Sequence, residues 1–459
     1  MRVVVVGGGI AGLSAAEFVS RERPDVEVVV LEQSGRIGGK LQTAELAGVQ
    51  VDVGAEALLA RRPEGIQLLE RIGATADRTD PLTTTASLYI DGTLRPVPSG
   101  TVLGIPGDAA TLTGVLSPAG QVRVEGETGV DFPPLTDDVS VGGLVAQRLG
   151  QEVVDRIVDP LLAGVYAGRA EQLSLRATVP DLAAILSTEG GSLLAAAHRL
   201  AGRARAAANS SPVFTSLVGG LGRLPGLIAQ RAPFTIRTGT AVRSIERSAD
   251  GFLLHIGARP EDATIEATAV IVAVPATKAA GLVRGLTASA AAELGSVRTA
   301  SMAIVSLAYP AGTAMPPGSG VLVPATSGQA VKAVTIFSQK WPGSDAIVRV
   351  RASLGRIGDE AVLQRDDSEL ATLATDGITA VLGVRTPPIA SLVTRWGGGL
   401  PQYDVGHVER VVRIRDAVAT VPGLAVAGAT YDGIGIPACI RSARLAADQI
   451  LPRLGPRPP

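Results

Sequence analysis

Three glycines, Gly7, Gly9 and Gly12, stand at G-x-G-x-x-G spacing directly after the β-branched run RVVVV. That order can bind a pyrophosphate. The first glycine permits a tight strand-to-helix turn. The second lets the backbone approach phosphate oxygens, and the third lets a helix pack close to the strand. A helix opening at Ile10 and Ala11 aims its free N–H groups and positive dipole end at the same point. Gly8 completes the turn. The following strand, VEVVVLE, ends on Glu32, about 20 residues beyond Gly12, where a carboxylate reaches an adenosine ribose hydroxyl. Strand, turn, helix, strand and acid, in this order, read as a dinucleotide-binding unit.

A second glycine loop follows Glu32 and Gln33. SGRIGGKLQT carries Arg36, Gly38, Gly39 and Lys40 where an NAD-binding unit would turn into its next helix. With its buried-looking arginine it resembles the amine-oxidase-like flavoprotein superfamily. That resemblance implies that the Arg-x-Gly-Gly loop lies along an extended, non-covalent FAD. It also implies that VDVGAEALL runs beside the flavin ring through Gly54, Ala55, Glu56 and Ala57. Two later segments support it. TAVRSIERSADGFLLHI reads as strand, turn and strand, and the resemblance places the backbone of Val242 toward the adenine. GLAVAGATYDGIGIPACIRSARLAADQIL reads as strand, glycine loop and helix. Gly428, Gly433, Ile434, Gly435 and Ile436 then bring the positive end of a helix to the N1/O2 edge of the flavin, where it would stabilise the reduced anion.

Holding these residues in place requires an α/β fold, α+β overall. A Rossmann-like FAD domain is expected to be discontinuous, built from residues 1–80, 212–284 and 405–459. Residues 81–100 and 285–404 alternate like antiparallel strands and are expected to form a substrate-binding sheet domain. Residues 101–211 are expected to form a helical cap, with Ser140 as a helix N-cap. Ser117–Pro134, rich in Gly, Pro and charge, is expected to be a flexible loop, and LYIDGTLRPVP a hairpin turning at Asp91–Gly92.

Composition bounds the function. A chain of 459 residues with 46% hydrophobic and 19% charged residues is globular and large enough for two or three domains. A net charge of −1 gives no general pull toward nucleic acid. A single cysteine, Cys439, rules out an intramolecular disulfide and a Cys-rich metal site, so no metal is expected. The chain opens on a strand and holds no apolar run of the ~18 residues needed to span a bilayer. A cytoplasmic location is expected, with contact at a membrane surface left open.

Three internal segments narrow the family. DPLLAGVYAGRAEQLSLRATVPDL, SLVGGLGRLPGLIA and RWGGGLPQYDVGH resemble signatures of the protoporphyrinogen/coproporphyrinogen oxidase family, most of all its bacterial coproporphyrinogen III-oxidising branch. VSVGGLVAQRLG departs from that family's acidic–Ser–Val–aromatic pattern. The resemblance implies successive two-electron oxidations of a porphyrinogen to the porphyrin, coproporphyrinogen III or protoporphyrinogen IX, in heme biosynthesis. A meso methylene gives hydride to FAD, and oxygen reoxidises the flavin to yield hydrogen peroxide. It also implies transient contact with ferrochelatase.

The same resemblance places Trp396 beside the isoalloxazine, with Gly397–Gly399 after it and Pro401–Tyr403 turning the chain away. It puts Gly164 and Tyr166 in the substrate pocket. Arg95 and Arg176, with Arg61 and Arg62, are candidates for substrate carboxylates, because Arg pairs bidentately with them. No catalytic side chain is assigned. His198, His255 and His407 are scattered and read as structural, with His407 the best exception. Two other readings stay open. One is an FAD-dependent amine oxidase, for which Lys332 is the lysine in a chamber strand. The other is a non-catalytic carrier of porphyrin or flavin.

Overall fold

The computed structural model describes residues 1–207, 212–257 and 263–456. The expected boundary near residue 211 and the last three residues lie outside the described residues.

Five parallel strands form the first sheet, in the order Thr235–Arg237, Glu27–Leu31, Arg2–Val6, Ala269–Val272, Leu424–Val426. The four strands from Glu27–Leu31 to Leu424–Val426 are short and apolar because both faces are covered, whereas the edge strand Thr235–Arg237 is largely exposed. On one face, helices Ile10–Glu22, Pro63–Arg71, Leu224–Arg231 and Ile436–Ile450 close over Val3, Val5, Val28 and Ile271. On the other, helices Ala276–Val283, Ala288–Gly295 and His407–Ala419 and the meander Val242–Arg247, Phe252–Ile256, Ala263–Ala267 bury Val4, Val29 and Val270. Residues far apart in the chain thus share one α/β layer structure.

A seven-stranded sheet stands apart from it, in the order Ala390–Pro401, Thr299–Pro310, Ile347–Leu354, Val331–Ile336, Gly320–Leu322, Ala86–Ile90, Thr93–Pro96. Helix Asp367–Leu382 covers one of its faces. Asp366 and Glu369 fix the start of that helix as a reciprocal capping box. The hairpin turn at Asp91–Gly92 takes φ of 48° and 78°, the left-handed pair that a two-residue hairpin needs.

Helices between residues 118 and 207 make the third layer, around Leu149, Ile157, Leu162 and Leu186. Ser140 caps helix Val141–Leu149 through the Gly143 N–H at 3.1 Å. Ser117–Pro134 is not a loop throughout. It holds helix Pro118–Glu125, capped by Ser117, and a 3-10 turn Gly126–Gly129. The cause is a distant contact: the buried Glu127 carboxylate accepts from the N–H groups of Leu193 (2.5 Å) and Leu194 (3.3 Å) and from the Ser192 hydroxyl (2.6 Å). The glycines after Trp396 likewise do not follow their strand but belong to it. The strand runs on to Pro401, with Gly398 at φ 56° and a register shift opposite Ala300–Met302. Among the described residues no helix is long and apolar enough to cross a membrane.

Candidate cofactor and substrate site

The Gly7–Gly12 turn is built so that one face stays bare. A Cβ at Gly7 would meet the Ala273 carbonyl oxygen at 2.5 Å, and one at Gly12 would meet the Gly7 carbonyl oxygen at 1.9 Å. At Gly9 it would meet nothing within 4 Å. Two glycines therefore serve close packing, and the third borders open space. Helix Ile10–Glu22 begins there without a side-chain cap and without an acid in its first turn. Its N-terminal N–H groups are left for a ligand, and an anion is what they favour. Glu32 holds the loop: its carboxylate accepts from the Gly8 N–H at 2.7 Å and from the Ser34 N–H and hydroxyl at 2.8 Å. Gln33 beside it is exposed.

The second glycine loop lies against the first through Gly38 N–H to the Gly8 carbonyl, 2.7 Å. Arg36 is exposed, not buried. Its guanidinium folds back onto the carbonyls of Ile37 and Gly39 because no acid stands within the loop to draw it inward. Lys40 opens into the cleft, and burial on its flanks holds its amine below the usual lysine range, with Cys439 acting the other way. A Cβ at Gly399 would lie 3.6 Å from the Lys40 side chain. Gly54 is pressed onto the Lys40 carbonyl oxygen, at 1.9 Å from a Cβ, and Ala55 donates to that carbonyl at 3.0 Å. Trp396 packs here. Its indole N–H donates to the Val53 carbonyl at 3.0 Å, and its ring would lie 3.3 Å from a Gly54 Cβ.

A second bare helix start faces the same region. Gly435 precedes helix Ile436–Ile450, again without a side-chain cap or an acid in the first turn. Ile434 precedes it, and Gly428 and Gly433 take φ of 127° and 139°. A Cβ at Gly428 would lie 3.9 Å from Ala11, so the two glycine loops adjoin. Burial pushes the Cys439 thiol up to about 12, against the pull of Lys40, which leaves it a packing residue. Val242 follows Gly239 and Thr240, whose N–H groups bond the Ser34 and Glu32 carbonyls at 2.8 Å. These features fit an extended dinucleotide flavin. Gly7–Gly12 and the Ile10 helix start would take its pyrophosphate, Glu32 its ribose, and Lys40, Trp396 and the Ile436 helix start its ring.

Glu56 does not offer its carboxylate to that cleft. The carboxylate pairs with Lys340 at 2.5 Å and Arg351 at 3.2 Å, while Ala57 leads on into a short strand. Burial alone would raise the Glu56 pKa, but Arg351 and Lys340 outweigh it and hold it below the usual range. Arg351 also donates to the Gly54 carbonyl at 2.8 Å. Asp52 accepts from the N–H groups of Leu221 and Gly222 at 2.9 Å, and burial lifts it to about 6. Composition gave no sign of Asp52, Lys340 or Arg351. The one signal was the period-2 pair Arg349 and Arg351 in IVRVRAS, which puts both on one face of a strand.

The substrate candidates separate. Gly164 is exposed on helix Asp159–Tyr166, where a Cβ would meet Leu322 at 3.3 Å. Tyr166 is buried and tilted against Tyr403, with ring centroids 5.6 Å apart. Arg61, Arg62 and Arg95 are exposed. Arg176 is not free for a ligand, because it pairs with Glu409 at 2.9 Å and donates to the Thr136 carbonyl at 2.8 Å. His198 is exposed, and His255 faces Glu246 across two strands at 3.4 Å. His407 is buried and stacked on Tyr403, centroids 4.0 Å apart. Lys332 is buried and bonded to the Gly355 carbonyl.

The family model for flavin containing amine oxidoreductases matches residues 10–451. The coproporphyrinogen III oxidase of Mycobacterium tuberculosis (strain H37Rv) is 37% identical over 455 residues, covering 98% of this chain and 97% of the relative. That of Bacillus subtilis (strain 168) is 31% identical over 463 residues, 98% and 97% of the two chains. A solved Exiguobacterium protein, provisionally assigned as a protoporphyrinogen oxidase, superposes with a TM-score of 0.86 at 29% identity over 99% of each chain. Together with the paired glycine loops and bare helix starts, these likenesses make the chain a member of the flavin-containing amine oxidoreductases, in the family of protoporphyrinogen and coproporphyrinogen oxidases, and an FAD-dependent oxidoreductase.

Proposed function

We propose that this protein oxidises a porphyrinogen, coproporphyrinogen III before protoporphyrinogen IX, to the aromatic porphyrin of heme biosynthesis. Oxygen is the final acceptor and hydrogen peroxide the co-product. The observation that carries this reading is the likeness to coproporphyrinogen III oxidases over 98% of the chain. We further assign residues 1–80, 212–284 and 405–459 to cofactor binding, 81–100 and 285–404 to the substrate sheet and 101–211 to the cap. The five parallel strands, drawn from all three parts of the first group, support that division.

FAD, when bound, supplies a two-electron acceptor for a meso carbon that oxygen can restore. The chain's own residues do the rest by placement. The helix starts at Ile10 and Ile436 present positive dipole ends to negative charge, with Lys40 beside them. Trp396, held by the Val53 carbonyl, excludes water from the reacting side. The Glu56–Lys340–Arg351 group fixes the Gly54 bend relative to the substrate sheet, so cofactor and substrate walls keep one spacing. No side chain is needed as a strong base, because loss of hydride leaves the pyrrole N–H acidic.

The test uses FAD-loaded protein mixed with coproporphyrinogen III in air, followed by porphyrin fluorescence and peroxide release. Acceleration over autoxidation is expected, and its absence overturns the reading. Peroxide from spermine instead would identify an amine oxidase. Flavin without either activity would identify a carrier.

A further inference from the structure

Two buried cations meet where the seven-stranded sheet touches helix Asp159–Tyr166. Lys332 is 3% exposed and Arg356 5%. The Lys332 ammonium donates to the Gly355 carbonyl at 2.7 Å, and the Arg356 guanidinium to the Val323 carbonyl at 2.7 Å. Among the described residues, neither has a carboxylate within ion-pair distance. Asp159 and Asp359 act on Arg356 through space, but the Asp159 carboxylate is bonded to the Ala170 N–H at 2.9 Å, neither acid pairs with the guanidinium directly, and Arg169 opposes them. Burial, reinforced by Arg356, pulls the Lys332 amine down to about 7. Like charges placed together out of water, with no carboxylate bonded to either, are costly. Something has to offset that cost.

Strand register shows where the pair lies relative to the cofactor cleft. Trp396 is opposite Met302, Ala303 is opposite Leu354, and Leu354 is opposite Val331. Trp396 and Lys332 therefore occupy the same end of one sheet. Their strands are three spacings apart, about 14 Å. One turn of helix roofs this span: Ala167 accepts from the Ile357 N–H at 2.9 Å, and the Tyr166 carbonyl accepts from Gln402 at 2.8 Å. Gly164 lies against Leu322, next to Val323.

We propose that Lys332 and Arg356 form a carboxylate subsite, which receives a propionate of the tetrapyrrole at the end of the chamber away from Trp396. This rests on the porphyrinogen reading above. The ligand's carboxylate is the missing counter-ion, and charge-assisted bonds from an ammonium and a guanidinium suit it. The subsite favours the ring that carries more propionates.

The experiment titrates FAD-loaded protein with coproporphyrin III by fluorescence, and with its tetramethyl ester, which presents no carboxylate. Lys332→Met and Arg356→Gln should each weaken coproporphyrin III by about tenfold or more, the worth of one charged hydrogen bond. Lys332→Arg should restore most of the affinity, and ester binding should not change. Lys332→Met should also melt at or above the wild-type temperature without ligand, since it removes an unpaired buried charge. A structural lysine would do the opposite. Unchanged coproporphyrin binding in both variants, or loss of FAD and a lower melting temperature in both, overturns the subsite while leaving the porphyrinogen reading standing. Wild-type protein that neither binds coproporphyrin III nor oxidises its porphyrinogen overturns both.

Discussion

Gly9 and Gly12 sit three residues apart and should answer the same substitution in opposite ways. A methyl group at Gly12 collides with the Gly7 carbonyl, whereas Gly9, at φ −75° and ψ 178°, has ordinary backbone and open space. Gly12→Ala should therefore destabilise the protein even without flavin, by about 3 kcal/mol. Gly9→Ala should leave the apoprotein within about 0.5 kcal/mol of wild type and still lower FAD affinity at least about tenfold. Melting curves and FAD titration of apoprotein read the two effects separately. A Gly9→Ala protein that loads FAD normally would remove the pyrophosphate from this turn. Trp396→Ala is the companion case at the ring. It should cost more in retained FAD or in substrate oxidation than in melting temperature, while Trp396→Phe, which keeps one aromatic ring but loses the bond to Val53 and part of the packing on Gly54, should cost about 1–2 kcal/mol. The glycine spacing was legible in the sequence because each glycine has a local job. The separate fates of Glu56 and Arg176 were not, because their partners Lys340, Arg351 and Glu409 lie more than 200 residues away.

The order within Ser117–Pro134 has a physical cause that lies outside the segment. Glycine, proline and charge are loop composition when only neighbours are considered. Here the charge on Glu127 caps helix Leu193–Ala207, whose first turn has no acid of its own. A carboxylate buried among N–H donors is worth more than an exposed cap. Glu127→Ala should therefore cost about 3 kcal/mol in urea unfolding, and Glu127→Gln, which keeps one acceptor, roughly half of that. A cost below about 0.5 kcal/mol for both would return the segment to a passive loop. Parallel strands and amphipathic helices were readable from hydrophobic period alone. The run of Ala390–Pro401 through three glycines was not, since glycine ordinarily weakens a strand interior. Pairing with Thr299–Pro310 carries it through, with a bulge at Gly398.

The whole molecule is tied together by Gln402–His407, in the stretch RWGGGLPQYDVGH. Gln402 takes the Arg298 carbonyl through its own N–H at 2.8 Å and the Tyr166 carbonyl through its side chain. The Tyr403 hydroxyl donates to the Ala429 carbonyl at 2.5 Å, and its carbonyl accepts from Ser174 at 2.7 Å. Sheet, cap and C-terminal cofactor loop thus meet on two residues, with His407 stacked beneath Tyr403. Burial pulls His407 down to about 4, with Arg410 acting the same way and Asp404 and the Tyr431 and Thr430 backbone acting against it. Between pH 6.5 and 4 the unfolded chain takes up a proton here that the folded chain refuses. The contribution is whole above pH 6.5 and is lost as pH falls toward 4, by about 2 kcal/mol at pH 5. Asp52, lifted to about 6, works in the opposite sense over part of this range, as its buried carboxylate becomes neutral. Comparison with His407→Phe, which keeps an aromatic ring on Tyr403, cancels that background. Wild type should lose about 2 kcal/mol more than the variant between pH 7.5 and pH 5, read by urea unfolding at each pH. Equal losses would mean that the histidine stays accessible to protons, and that the junction of the three layers is looser than its stacking implies.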